Sequence, residues 1–221
     1  MIYSVQLNSK ASSTFRCAKA ANSLDIDVEK KLTHSMTIDG DLESAFNVGL
    51  IVGSSGSGKT TLAKQIWGED IFKEVLDLSL PVIDQFPQGM TYDDCAAALN
   101  GVGLSQVPCW IRPAHTLSNG QRFRAEIALQ TASDRDFIVI DEWTSVVDRT
   151  VAKAMSFSVQ KHARRTGKRL VFLSCHYDVI EWLDPDWIVD CNKQAYENRR
   201  SLRPPRTEKL DFTIRECSRA S

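Results

Sequence analysis

The 221-residue chain has no apolar run approaching the roughly 20 residues needed to cross a bilayer, so a membrane role would require a separate spanning subunit. Its start, Met1-Ile2-Tyr3-Ser4-Val5-Gln6-Leu7, lacks the long apolar core and cleavage site of a secretory leader. It also lacks a C-x-x-C pair. The 6 cysteines, Cys17, Cys95, Cys109, Cys175, Cys191 and Cys217, are scattered, and none has a histidine nearby in zinc-finger register. Reduced thiols in a cytoplasmic chain are the expected state. A formal net charge of −1 gives the whole molecule no strong field for nucleic acid or anionic membrane, although it leaves local patches open. No internal repeat, heptad array or low-complexity tract is present. What remains is an ordinary globular composition, 43% hydrophobic, long enough for one sizeable core and one main domain with a small subdomain.

Against that background one stretch stands out. Gly53-Ser54-Ser55-Gly56-Ser57-Gly58-Lys59-Thr60, followed by Thr61, is a complete G-x-x-x-x-G-K-T sequence directly after the apolar run Val48-Gly49-Leu50-Ile51-Val52. Strand, glycine-rich turn and helix start stand in the order a phosphate site needs. The glycines let consecutive backbone N–H groups point inward around β- and γ-phosphates, Lys59 adds a point charge, and the Thr60 hydroxyl can ligate Mg²⁺. The loop predicts a bound nucleoside triphosphate without naming a reaction.

The rest of the chain reads as an α/β protein. Short runs of β-type alternation around Tyr3 to Leu7, Thr14 to Ala18 and Leu32 to Ile38 predict an antiparallel sheet at the N-terminus. A helix is expected from Thr60 to about Trp67, stopping at Gly68, and another from Tyr92 to Leu99. Ser118 is placed to cap a helix running through Phe123, Ile127 and Ala128. The apolar runs Phe137 to Ile140 and Leu170 to Leu173, joined by a helix over 149 to 166 with Gly167 at its end, predict a parallel sheet with crossover helices. From Asn192 the chain turns basic and proline-bearing, as in a linker or docking tail.

Downstream of the phosphate loop come, in order, Gln85 in Pro81-Val82-Ile83-Asp84-Gln85, then Leu117-Ser118-Asn119-Gly120-Gln121, then Asp136-Phe137-Ile138-Val139-Ile140-Asp141-Glu142. Trp143-Thr144-Ser145-Val146-Val147-Asp148 and Ser174-Cys175-His176 follow. This succession resembles the ABC-type ATPases, with their Walker A loop, glutamine loop, signature, Walker B strand and glutamate, D-loop and switch histidine. The resemblance covers about Val48 to Asp190. It departs at Asn119, where the signature usually has glycine, and at Trp143, where proline usually follows the glutamate. Asparagine tolerates left-handed backbone, so the signature turn is expected to survive. The Trp143 ring is expected to pack against a neighbouring loop or a partner chain.

The resemblance implies a P-loop fold with an N-terminal antiparallel β subdomain and a short helical subdomain at about 86–130. It assigns roles as well. Asp141, Thr60 and Gln85 would hold Mg²⁺; Glu142 would polarise the attacking water; His176 would contact the γ-phosphate. Ser118, Gly120 and Gln121 would serve ATP held by a second protomer, with Asp148 at the interface of a head-to-tail homodimer. Phe15 and Tyr3 are candidates for stacking on adenine, though core positions suit them better, and His34, His115 and His162 read as surface or helix residues.

Closer wording, in Trp110-Ile111-Arg112-Pro113, Leu117 to Arg124, Thr144 to Lys153, Cys175 to Asp178 and Glu181 to Trp187, is similar to ATPases fused to a predicted acetyltransferase. The division this implies is an ATPase domain over 1–195 and a basic linker or remnant of a second domain over 196–221. A soluble ATPase driving a nucleic-acid or acetyltransferase-linked partner is the first functional expectation. The ATP-binding subunit of a transporter and a non-hydrolysing nucleotide-gated scaffold are the alternatives.

Overall fold

A computed structural model describes residues 1–9, 14–23 and 32–200. Five strands form one sheet in the order β4-β5-β3-β6-β7, where β3 is Val48–Val52, β4 Phe137–Ile140, β5 Arg169–Ser174, β6 Trp187–Asp190 and β7 Ala195–Asn198. The first four are mutually parallel and β7 closes the edge antiparallel to β6. That last strand carries the sheet past position 195. A separate antiparallel pair, β1 (Ile2–Ser9) and β2 (Leu32–Asp39), runs in register from Ile2 opposite Asp39 to Ser9 opposite Leu32.

The parallel strands are apolar apart from Arg169, Ser174 and Asp190 at strand ends, because both faces are covered. Val48, Leu50 and Val52 of β3, Ile138 and Ile140 of β4, and Leu170 and Phe172 of β5 share one core. The helices packed there are α3 (Tyr92–Gly101), α5 (Asn119–Ala132), α6 (Arg149–Thr166) and α7 (Val179–Leu183). The intervening residues, Ile51, Val139, Val171 and Leu173, turn to the opposite face, where β1 and β2 bring Val5, Met36 and Ile38 and α2 (Lys59–Trp67) brings Leu62 and Ala63. A two-residue period thus assigns every buried apolar side chain of these strands to one of two cores.

The helix boundaries follow local chemistry. Thr91 caps α3 and Ser118 caps α5, each in a reciprocal capping box with the third helical residue, Asp94 and Gln121. Gly167 ends α6 in a left-handed conformation. The short α4 (Val107–Trp110) completes the insert between α2 and α5.

Two expectations change. Thr14 to Ala18 is not a strand: α1 occupies Phe15–Ser23, with Ala18 N–H donating to the Thr14 carbonyl at 3.0 Å. Its alanines, arginine and lysine favour helix over the alternation read from a few apolar positions. Phe15 is not a core residue either, being 82% exposed on that helix, whereas Tyr3 packs half-buried against the β1–β2 core. Of the linker expected over 196–221, positions 196–198 belong to β7, while positions 201–221, including Pro204-Pro205 and the strand-like Phe212-Thr213-Ile214, lie outside the described residues.

Close packing at the sheet centre has a direct test. Trp187 is fully buried, edge-on to Phe46 at 5.3 Å between ring centroids, and a Cβ on Gly49 would lie 2.2 Å from its ring. Gly49→Ala should therefore cost about 1–3 kcal/mol by overpacking, read as a lower urea midpoint at unchanged slope. An unchanged midpoint would mean the ring has room to move.

Candidate nucleotide-binding site

Four parallel strands deliver four loops to one end of the sheet, the place where α/β proteins bind ligands. The first is the glycine-rich loop after β3. Gly58 stands before α2 in left-handed conformation at φ 90°, which lets the loop turn directly into the helix. The Lys59 ammonium donates to the carbonyls of Gly53 at 2.8 Å and Ser54 at 2.9 Å. Both partners are neutral, so its charge still faces an incoming anion. The Thr60 hydroxyl donates to Asp141 Oδ2 at 2.8 Å, joining the loop to the end of β4. Around these groups lies a cleft of about 290 Å³, lined by Ser55, Gly56, Gly58, Lys59, Thr60, Thr61, Glu142, Leu173 and Cys175. A cation, a hydroxyl–carboxylate pair and a helix N-terminus around one opening are the donor set that a magnesium-bound triphosphate requires.

The second loop, after β4, is strained. Glu142 has φ 53° and Thr144 φ 69°, and a β-branched residue in this region is a genuine outlier. Trp143 between them holds the turn. Its N–H donates to the Leu173 carbonyl at 2.8 Å and its indole N–H to Ser156 Oγ at 3.0 Å, while its own carbonyl accepts from Ser174 Oγ at 3.0 Å. The ring is fully buried, 4.6 Å from Phe172 and 6.0 Å from Phe123 between centroids. Trp143 therefore packs in its own core and not against a partner chain. Proline at this position would lack the N–H that reaches β5. Beside it, Ser145 Oγ donates to Glu142 Oε2 at 2.6 Å, and the Glu142 N–H donates to Asp141 Oδ1 at 2.8 Å.

The third loop follows β5. The His176 N–H donates to Ser174 Oγ at 3.1 Å, and Cys175, not the imidazole, is among the residues lining the cleft. The neighbouring Tyr177 hydroxyl donates to Asp190 Oδ1 at 3.1 Å and accepts from Asn192 Nδ2 at 3.2 Å. Burial, followed by the bond to Asp190, holds its pKa above the usual phenol value. Asn192, in the fourth loop after β6, accepts from Ser54 N–H at 3.3 Å and from Ser54 Oγ at 3.0 Å. One asparagine thus ties the phosphate loop to the histidine loop. Under the phosphate loop the Cys191 thiol is pushed up to about 11, chiefly by burial, and so stays protonated at neutral pH. Cys175, Tyr177 and Asn192 escape motif reading, because what places them is strand pairing between distant segments.

Other residues named from sequence lie elsewhere. Gln85 ends a 3-10 turn, and its amide is spent on the 77–81 loop: Oε1 accepts from Asp77 N–H at 2.7 Å, and Nε2 donates to the carbonyls of Asp77, Leu80 and Pro81 at 2.9, 3.1 and 3.2 Å. It does not line the cleft. Ser118 and Gln121 form the α5 capping box, and Gly120 sits so close to the Val146 carbonyl that a Cβ would lie 2.9 Å from it. The signature thus packs on the turn that carries Asp148. Asp148 itself caps α6, Oδ1 accepting from Thr150 and Val151 N–H at 3.0 Å each. None of these four residues reaches the cleft within one chain. Of the histidines, His115 is exposed and His162 lies half-buried on α6, where burial lowers its pKa.

No protein-family model matches the chain. Among curated proteins it is 28% identical over 179 residues to the energy-coupling factor transporter ATP-binding protein EcfA1 of Leuconostoc mesenteroides, covering 64% of this chain and 66% of that protein. It is 24% identical over 146 residues to the ribosome protection protein VmlR of Bacillus subtilis, covering 63% of this chain and 26% of that one. Among solved structures, a dimeric post-hydrolysis state of an ATP-binding cassette bound to ADP and Pi matches with a TM-score of 0.59 at 16% identity, over 90% of this chain and 98% of the other. The fold is that of the ATP-binding cassettes, a P-loop α/β architecture. The chain spans just under two thirds of EcfA1 and about a quarter of VmlR. No helix among the described residues is long and apolar enough to cross a membrane.

The Trp143 brace can be measured. Trp143→Phe keeps a ring but leaves the Ser156 hydroxyl buried without its donor, at a cost of about 1–3 kcal/mol. Trp143→Ala should cost about 3–5 kcal/mol. Equal urea midpoints for the phenylalanine and unmodified proteins would show that the indole bond contributes nothing.

Proposed function

We propose that the chain is an ATPase of the ATP-binding-cassette type that binds ATP with Mg²⁺ between two head-to-tail protomers and hydrolyses it. The observation that carries this reading is the junction of Lys59, Thr60 and Glu142 around one cleft, with Asp141 hydrogen-bonded to the Thr60 hydroxyl. Magnesium, when bound, would neutralise charge between the β- and γ-phosphates. Thr60 and Asp141, already hydrogen-bonded to each other, would supply its protein oxygens. The loop N–H groups and Lys59 would orient the phosphates. Glu142 at the rim would take the proton of the attacking water, and releasing its Ser145 bond frees the carboxylate to do so. His176 would direct its ring at the terminal phosphate.

The two-protomer arrangement is supported by what one chain leaves incomplete. The start of α5, with Ser118 and Gly120, presents a positive helix end to solvent away from the cleft, as it must to face ATP on another chain. Gln85 acts here as a loop clamp and would reach magnesium only by giving up the four bonds that hold it.

For the coupled task, the relatives favour a transporter's ATP-binding subunit, since EcfA1 and the O-antigen export system ATP-binding protein RfbB of Myxococcus xanthus bear that description. The insert supplies a surface for a partner, because Leu78, Leu80, Val107 and Ile111 are exposed on it. A non-transport engine is the second reading, favoured by the likeness to a ribosome protection protein and by the basic residues after Asn198. The acetyltransferase partner expected from the tail draws no support from these relatives.

Lys59→Ala should remove most ATP binding in a titration, because the loop loses the cation facing the phosphates; unchanged affinity would exclude this cleft. Glu142→Gln should bind ATP normally, turn over about 10²- to 10⁴-fold more slowly, and accumulate as a dimer on size-exclusion chromatography with ATP and Mg²⁺. A Glu142→Gln protein that binds ATP yet stays monomeric would contradict the two-protomer mechanism.

A further inference from the structure

Arg149 is the first residue of α6, next to the capping Asp148. A cation at a helix N-terminus opposes the helix dipole, so α6 itself gives no reason for an arginine there. Each of its three guanidinium nitrogens donates elsewhere. Nε donates to Asp178 Oδ2 at 3.0 Å, Nη2 donates to Asp178 Oδ1, and Nη1 donates to Thr144 Oγ1 at 3.2 Å. Its plane lies over the Trp182 ring, 4.8 Å from the centroid. Asp178 is available for this because, although it precedes α7, its carboxylate makes no capping bond.

The partners matter for where they sit. Thr144 is the buried, left-handed residue two positions after Glu142, and Asp178 is two positions after His176. One planar group therefore spans the strained turn after β4 and the loop after β5. The two carboxylate oxygens and the hydroxyl fix its orientation in a way a single ammonium cannot. Stability does not account for it, since both partners of the ion pair are 40–48% exposed and pairs of that kind contribute little to folding.

We propose that Arg149 is a positioning residue for hydrolysis, which sets the placement of His176 relative to Glu142 by locking their two loops together. The inference rests on the ATPase reading above and adds to it a residue that touches neither nucleotide nor metal. Arg149 lies outside the cleft lining, so its loss leaves the binding groups in place and displaces the groups that act on the bound phosphate.

The test combines turnover with an observation made without nucleotide. Arg149→Ala should lower kcat about 10- to 100-fold, the range for a misplacement of about 1 Å, with KM for ATP and ATP affinity within about twofold of native. Arg149→Lys should recover little of the loss. In a His176→Ala background, Arg149→Ala should cost almost nothing more, because both changes then act on the same histidine. In the nucleotide-free protein, hydrogen exchange should speed up in segments 143–148 and 175–182 and stay unchanged in the sheet. Native kcat in Arg149→Ala, the same loss in the His176→Ala background, or unchanged exchange at 175–182 would each overturn the proposal. His176→Ala measured alone decides the role of the histidine, whereas the exchange experiment decides the brace whether or not ATP is hydrolysed.

Discussion

The parallel pairing of β3 between β5 and β6 is the constraint on which the rest of this molecule depends. Val48 through Val52 lie opposite Leu170 through Ser174 on one side, and Gly49 through Val52 lie opposite Trp187 through Asp190 on the other. The ladders continue beyond the strands: Gly53 N–H reaches the Ser174 carbonyl at 3.3 Å, and Cys191 N–H reaches the Val52 carbonyl at 2.8 Å. In a parallel pair the carboxyl ends must emerge together. The phosphate loop, the histidine loop and the Asn192 turn are therefore neighbours by register, before any side chain between them has formed a bond. Slipping β5 by one residue would exchange Phe172 and Leu173 between the two cores, so packing defends the same register that the site uses.

Over that rigid floor, the polar contacts concentrate at the loops. Asn192 links Ser54 to Tyr177, Ser174 links the Trp143 carbonyl to the His176 N–H, and Arg149 links Thr144 to Asp178. Each crosses between chain segments far apart in sequence. Together they hold a turn in which two non-glycine residues have positive φ, a conformation that persists only when its surroundings over-determine it. Trp143 is the apolar part of that support, and its N–H explains how the turn tolerates a residue other than proline here.

What could be read from sequence was what is local. Gly53 to Thr60 declares itself because loop, charge and helix start are contiguous, and the Ser118 cap and the Gly167 stop follow from residues adjacent to their helices. The unbroken apolar runs Val48–Val52, Phe137–Ile140 and Leu170–Leu173 pointed to a buried parallel sheet for the same reason. The misreading of Thr14 to Ala18 as strand shows how weak alternation is over five residues when alanine and basic residues favour helix. The sequence left the Trp143 ring between a neighbouring loop and a partner chain, because a large ring beside a charged pair says nothing of the pocket formed by Phe123, Ser156 and Phe172. Gln85 illustrates the converse: its order in the chain matched a motif, yet its side chain answers to four backbone groups of its own loop. Asn192, Tyr177 and Arg149 had no local signature, since strand pairing or loop contact alone brings their partners within reach.

The central claim is that one chain supplies half of an ATP-hydrolysing site whose other half comes from a second copy. Its most direct test is the initial rate of phosphate release from ATP and Mg²⁺ by the unmodified protein, measured across a range of protein concentrations. The account predicts a specific activity that rises with concentration and levels off once ATP-bound dimers dominate. Release at a specific activity independent of concentration, from protein that remains monomeric, would contradict it.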